Sequence, residues 1–164
     1  MGRAYVGLGS NLGDRGGTLA RAVGLLGERP GVEVVATSSI LETDPVGYLE
    51  QPAFLNAVVA VETSLSPAEI LAALLDIERE LGRTREGPRY GPRTIDLDLL
   101  LVVGVTIDEP GLTLPHPRLH ERAFALEPLA ELDPLLVVPG HGPVRELLDA
   151  LRPLDDRFRL ESSP

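Results

Sequence analysis

The chain has 164 residues and a net charge of −10, long enough for one domain with a sizeable core and too acidic to grip nucleic acid through a general basic field. All fifteen basic residues are arginine, and the absence of lysine excludes a phosphate-loop lysine, a kinase strand lysine and Schiff-base chemistry. There is no cysteine, hence no disulfide, thiolate nucleophile or zinc–thiolate centre. The N-terminal residues lack the apolar run of a signal peptide, and no stretch approaches membrane-spanning length. A soluble, cytoplasmic protein without nucleic-acid or membrane partners is expected.

In chain order, Ala4 to Leu8 reads as a first strand that ends at Gly9-Ser10-Asn11-Leu12-Gly13. The spacing Gly7-x-Gly9-x-x-x-Gly13 is one residue longer than a dinucleotide fingerprint, so these glycines are expected to serve a tight strand-to-helix turn. Asp14 can cap a helix whose apolar positions Leu19, Ala22, Val23 and Leu26 recur at helical spacing, and Gly27 and Pro30-Gly31 end it. Val32 to Leu41 is strand-like, a loop follows from Glu42 to Gln51, and Phe54 to Thr63 alternates as a long strand. Ser66-Pro67-Ala68-Glu69 is a capping box with proline at the first helical position, opening a helix that stops at Gly82. Ile95 to Val103 predicts a strand, Thr113 to His116 an extended segment, and Glu121–Leu132 and Val144–Leu151 two helices. The order β-α-β-β-α-β followed by helices fits an α+β, ferredoxin-like sandwich: a mainly antiparallel sheet with helices packed on one face. One domain over residues 1–164 is expected, with 153–164 a frayed tail.

Chemistry concentrates in residues 83–98, where four arginines (Arg83, Arg85, Arg89, Arg93) and two Gly-Pro pairs run into Asp96-Leu97-Asp98. On a strand, Asp96 and Asp98 share one face while Ile95, Leu97 and Leu99 share the other. Two carboxylates aimed together repel unless a cation lies between them. Oxygen-only ligands suit Mg²⁺ or Ca²⁺, and guanidinium groups suit phosphate oxygens. The bland reading is a set of structural salt bridges with the upstream arginines. The arginine loop feeding an apolar strand favours a metal–polyphosphate site.

Other residues are weaker signals. Asn56, inside a strand and facing the same way as Phe54, either bonds a nearby loop or reads a heterocycle edge, with Phe54 or Phe124 stacking on the ring. Glu78 borders the apolar stripe of its helix and is either a solvated edge or part of the site. His116, between Pro115 and Pro117, can donate to phosphate, and Arg122 can join it; His141 reads as a turn residue. No activated nucleophile emerges, which favours direct in-line transfer to a substrate hydroxyl.

Several separated segments then align with one family. Arg89-Tyr90-Gly91-Pro92-Arg93-Thr94-Ile95-Asp96-Leu97-Asp98-Leu99-Leu100 resembles the signature of the 6-hydroxymethyl-7,8-dihydropterin pyrophosphokinases of folate biosynthesis. Gly9 to Gly13, Thr43 to Gly47, Gln51 to Ala57, Pro115 to Pro117 and Arg122 to Phe124 continue it in order, to about Leu151. The resemblance implies transfer of the β,γ-diphosphate of ATP to the pterin hydroxymethyl group, releasing AMP. It implies two Mg²⁺ ions on Asp96 and Asp98, and a pterin pocket of Thr43, Asp44, Pro45, Val46, Gly47, Phe54, Asn56 and Phe124. It places Arg83, Arg85, Arg93, His116 and Arg122 on the triphosphate, with Arg83 and Arg93 neutralising charge on the transferred group. Glu78, Leu99 and Thr113 lie where the nucleotide is held, and a mobile loop matches Arg83 to Arg93. Tyr90, Leu75, Pro117 and Gly111 depart from residues carried by some members. A monomer is expected. A nucleotidyltransferase, a nucleotide-binding regulatory module and a calcium-stabilised structural domain are the competing classes, and the nucleotide products separate them.

Overall fold

The computed structural model describes residues 2–10, 15–43, 54–82 and 95–151. Strands β1 (Gly2–Ser10), β2 (Val32–Thr37), β3 (Leu41–Thr43), β4 (Phe54–Thr63) and β5 (Asp96–Val102) form one antiparallel sheet in the order β2-β4-β1-β5, with β3 also pairing β4. Helix α1 (Arg15–Gly27) follows β1, and α2 (Pro67–Glu80) follows β4. Beyond β5 come a small hairpin of β6 (Ile107–Glu109) and β7 (Leu112–Leu114), a 3-10 turn at Leu119–Glu121, and α3 (Ala123–Leu132). A second hairpin, β8 (Val137–Val138) and β9 (Gly142–Pro143), precedes α4 over 144–151. The architecture is the expected α+β, ferredoxin-like one.

Both faces of the sheet are covered, so the one-face expectation for the helices is corrected. Ala4, Val6, Leu8, Val59, Val61, Leu97 and Leu99 face α1 and α2, meeting Leu19, Ala22, Leu26, Ile70, Leu74 and Ile77. Tyr5, Val58, Ala60 and Leu101 face the other way, against Leu126 and Leu129 of α3 and Val144 and Leu148 of α4. Central strands buried on both faces lose the apolar–polar alternation of a one-sided sheet. Val58 to Val61 is accordingly apolar and buried throughout. Ile70, Leu74 and Ile77 recur at i, i+4 and i+7 on α2, each at most 1% exposed, and each contributes roughly 1.5–3 kcal/mol by burial.

The capping box is present as read. Ser66 N–H donates to Glu69 Oε1 at 2.8 Å, and Glu69 N–H to Ser66 Oγ at 3.2 Å. The stretch 32–41, expected as one strand, is two. Ser38 Oγ accepts the Val58 amide at 2.9 Å, and the Ser39 amide turns to the Glu131 carboxyl group on α3 at 3.0 Å. A partner from a distant helix thus interrupts the ladder.

Candidate active site

The site is built on the α3 face of the sheet by register. Gly9 of β1 stands between Asn56 of β4 and Asp96 of β5; Gly7 stands between Val58 and Asp98. Both glycines are regular strand residues and not part of a turn, which corrects the expectation for them. Gly9 puts no side chain between the Asn56 amide and the Asp96 carboxylate and so forms a floor there, whereas the Leu100 side chain covers Gly7, 3.3 Å from where a Cβ would stand. A Cβ at Gly9 would stand 3.2 Å from Asn56 Oδ1 and 3.9 Å from Phe54 Cδ1, so both side chains overhang that residue. Asn56 is buried and Phe54 half-buried at the mouth of β4.

Asp96 and Asp98 are half-buried on this face, while Leu97 and Leu99 enter the opposite core, as the strand alternation requires. Asp98 Oδ2 lies 4.0 Å from Arg122 Nη1, and the Arg122 guanidinium is 5.6 Å from the centre of the Phe124 ring. Arg122 and Phe124 come from the start of α3, so this helix delivers a cation and an aromatic ring to the carboxylate end of the floor.

His116 is fixed by its backbone. Leu100 and Leu101 fall at a register shift between β1 and β5, and the His116 amide donates to the Leu100 carbonyl at 2.8 Å. Its Nδ1 accepts the Arg118 amide at 3.2 Å, so the ring proton sits on Nε2. Burial lowers the His116 pKa, and the Arg122 charge lowers it further against the opposing pull of Asp96. The imidazole is therefore a neutral Nε2–H donor at physiological pH, suited to a phosphate oxygen.

Asp98, Leu99, Thr113 and His116 all line one cleft of about 290 Å³ that wraps the outer side of β5. Its walls include Leu71 of α2 and Leu112 of β7, which sequence reasoning missed. Leu71 and Leu112 carry no local sign of a site; only the meeting of α2 with the β6–β7 hairpin makes them walls. A wider cleft of about 450 Å³ shares Thr113, His116 and Pro117 and reaches His141, which stacks on His120 at 3.9 Å. Glu78 is buried behind β5, its Oε2 accepting the Leu97 amide at 2.8 Å.

Thr43 closes β3 opposite Phe54. Asp44, Pro45, Val46, Gly47, Arg83, Arg85 and Arg93 lie outside the described residues, as does the 153–164 segment. The carboxylate pair suits a hard divalent cation: its donors are oxygen only. Among the described residues no group of three or more His, Asp or Glu is placed to hold an ion.

Residues 5–134 match the family described as 7,8-dihydro-6-hydroxymethylpterin-pyrophosphokinase. The 2-amino-4-hydroxy-6-hydroxymethyldihydropteridine pyrophosphokinase of Bacillus subtilis (strain 168) is 54% identical over 129 residues, covering 79% of this chain and 77% of its own length. The enzyme of the same name from Methylorubrum extorquens is 50% identical over 153 residues, 93% of this chain and 96% of that one. A crystal structure of an HPPK-DHPS chain in complex with substrates superposes with a TM-score of 0.76 at 14% identity, covering 96% of this chain and 45% of that chain. Wild-type Plasmodium falciparum HPPK-DHPS, solved with pterin and p-hydroxybenzoate, gives 0.73 at 17% identity, covering 96% and 43%. This chain spans under half the length of those two solved chains, and the likeness to them is one of fold. It belongs to the 7,8-dihydro-6-hydroxymethylpterin-pyrophosphokinase family.

Proposed function

We propose a division of labour, within one catalytic domain, for the reaction of this family. The chain is an ATP-dependent diphosphotransferase of folate biosynthesis: the hydroxymethyl oxygen of 6-hydroxymethyl-7,8-dihydropterin bonds to the β-phosphorus of ATP, the bond from that phosphorus to the α,β-bridging oxygen breaks, and AMP leaves. The observation that carries the assignment of residues is the row Asn56–Gly9–Asp96, an amide and a carboxylate facing each other across a residue with no side chain. An asparagine amide offers a donor and an acceptor together, matching the alternating donors and acceptors of a pterin edge. Phe54 and Phe124 stack on the ring, and Thr43 to Gly47 complete the pocket.

The hydroxymethyl group then points along the floor toward Asp96 and Asp98. These two residues would hold Mg²⁺, two ions on this reading, and the metal would supply charge neutralisation to the polyphosphate. Arg122 and the His116 Nε2–H take non-bridging phosphate oxygens, and Arg83, Arg85 and Arg93 are assigned to the triphosphate, with Arg83 and Arg93 neutralising charge on the transferred group. Leu99 and Thr113 belong to the nucleotide end, and Glu78 supports that end from behind β5. Catalysis on this account is positioning and charge neutralisation, with no covalent enzyme intermediate. No helix among the described residues is long and apolar enough to cross a membrane.

Asp96→Asn and Asp98→Asn test the assignment. Each should cost about 3–5 kcal/mol of transition-state stabilisation, lowering kcat/KM by roughly two to nearly four powers of ten, with the fold retained. Turnover near wild type in either variant would remove the carboxylates from the metal site.

A further inference from the structure

Strand β5 is the last strand of the described sheet, next to β1 only. Every second amide of such a strand points away from its neighbour, and a buried amide without a partner is costly. The Leu97 amide is one that turns outward, and it donates to Glu78 Oε2 at 2.8 Å. Glu78 is 3% exposed, on the face of α2 that buries Leu74 and Ile77. That bond ties α2 to β5 and, taken by itself, is a structural hydrogen bond within the helix–sheet layer. Leu97, however, is the single residue between Asp96 and Asp98. Its backbone determines how far apart the two carboxylates stand and where they aim.

We infer that Glu78 is a positioning residue for the carboxylate pair, acting from behind the strand through the Leu97 N–H. The inference rests on the metal–phosphate reading of Asp96 and Asp98. Glu78 therefore serves the nucleotide end indirectly, through its hydrogen bond to the strand that carries the metal ligands. Residues that orient metal ligands in this way are worth roughly 10–100-fold in metal affinity or activity.

The full-length protein with Glu78→Leu, Glu78→Gln and Asp98→Asn tests this, read by Mn²⁺ binding in the presence of a non-hydrolysable ATP analogue, by exchange of the Leu97 amide, and by turnover. Glu78→Leu should speed Leu97 exchange and weaken Mn²⁺ binding by about tenfold or more, lowering kcat while KM for ATP stays within about threefold. Glu78→Gln, which keeps an acceptor oxygen, should restore all three readouts to within about threefold of wild type. Wild-type Mn²⁺ affinity and kcat in a less stable Glu78→Leu protein would reduce Glu78 to packing. A raised KM for ATP with unchanged Mn²⁺ affinity would make it a nucleotide contact. Either result overturns the inference. If Glu78→Leu does not fold, Glu78→Asp, whose carboxyl group is one methylene short of Leu97, takes its place with the same expected losses. Unchanged Mn²⁺ affinity in Asp98→Asn would instead show that the pair is not the metal site, whatever Glu78 does.

Discussion

Gly9→Ala is the sharpest perturbation of the floor. Gly9 is a regular residue of β1, outside the glycines with positive φ, so alanine brings no backbone strain there. The added methyl would stand 3.2 Å from Asn56 Oδ1 and 3.9 Å from Phe54 Cδ1. Asn56 is only 8% exposed, so it must yield by a few tenths of an ångström in a crowded place. Overpacking of this kind costs about 1–3 kcal/mol. In the free protein, part of that is offset by roughly 0.4–1 kcal/mol from the stiffer unfolded chain. The pterin gains no such offset, because the methyl occupies the surface on which its ring must rest. Pterin affinity should therefore fall roughly 10–100-fold, or 1.4–2.8 kcal/mol, while Tm stays within a few degrees. Gly7→Ala is the control: its Cβ would meet the flexible end of Leu100 at 3.3 Å, away from Asn56, and should change pterin affinity by less than about threefold. Calorimetric titration of pterin into protein saturated with a non-hydrolysable ATP analogue reads both. Equal losses in the two variants, or none in Gly9→Ala, would refute the floor as the pterin surface.

Three further outcomes are expected. Because burial and the Arg122 charge lower the native His116 pKa beneath its ordinary 6.5, the unfolded chain binds more protons below that pH. Stability should decline as pH falls below 6.5 and level once native His116 is also protonated; thermal melts from pH 8 to pH 5 should lose this component in His116→Asn. Arg122→Leu removes a phosphate cation and the partner of Asp98, and KM for ATP should rise about tenfold with pterin binding less affected, read by steady-state kinetics. Ser66→Ala leaves the start of α2 without its cap and should lower Tm by roughly 2–4 °C with kcat unchanged, checked by calorimetry beside turnover.

Local chemistry made much of this molecule legible. Asp96 and Asp98 share a face because strands alternate, and Ser66 and Glu69 cap α2 because both halves of the box are adjacent in sequence. What escaped depends on partners distant along the chain. Gly7 and Gly9 read as turn glycines, since their value lies in the Asn56 and Asp96 side chains that β4 and β5 bring alongside. The break after Thr37 depends on Glu131, ninety-two residues beyond Ser39. The second helical layer was hidden because Val58 to Ala60 is apolar without alternation, which does not say how many faces are covered. Glu78 reads as the border of its helical stripe, and the Leu97 amide it accepts belongs to a strand nineteen residues further along the chain. The β6–β7 hairpin is too short to leave a periodic signal, yet it supplies Leu112 and Thr113 to the cleft.

The most direct test of the central claim is the identity of the nucleotide formed when the protein meets ATP, Mg²⁺ and 6-hydroxymethyl-7,8-dihydropterin, followed by ³¹P NMR. AMP and a pterin diphosphate should appear together, one for one. ADP with a pterin monophosphate, or free pyrophosphate with an adenylylated pterin, would contradict diphosphoryl transfer at the Asp96–Asp98 site.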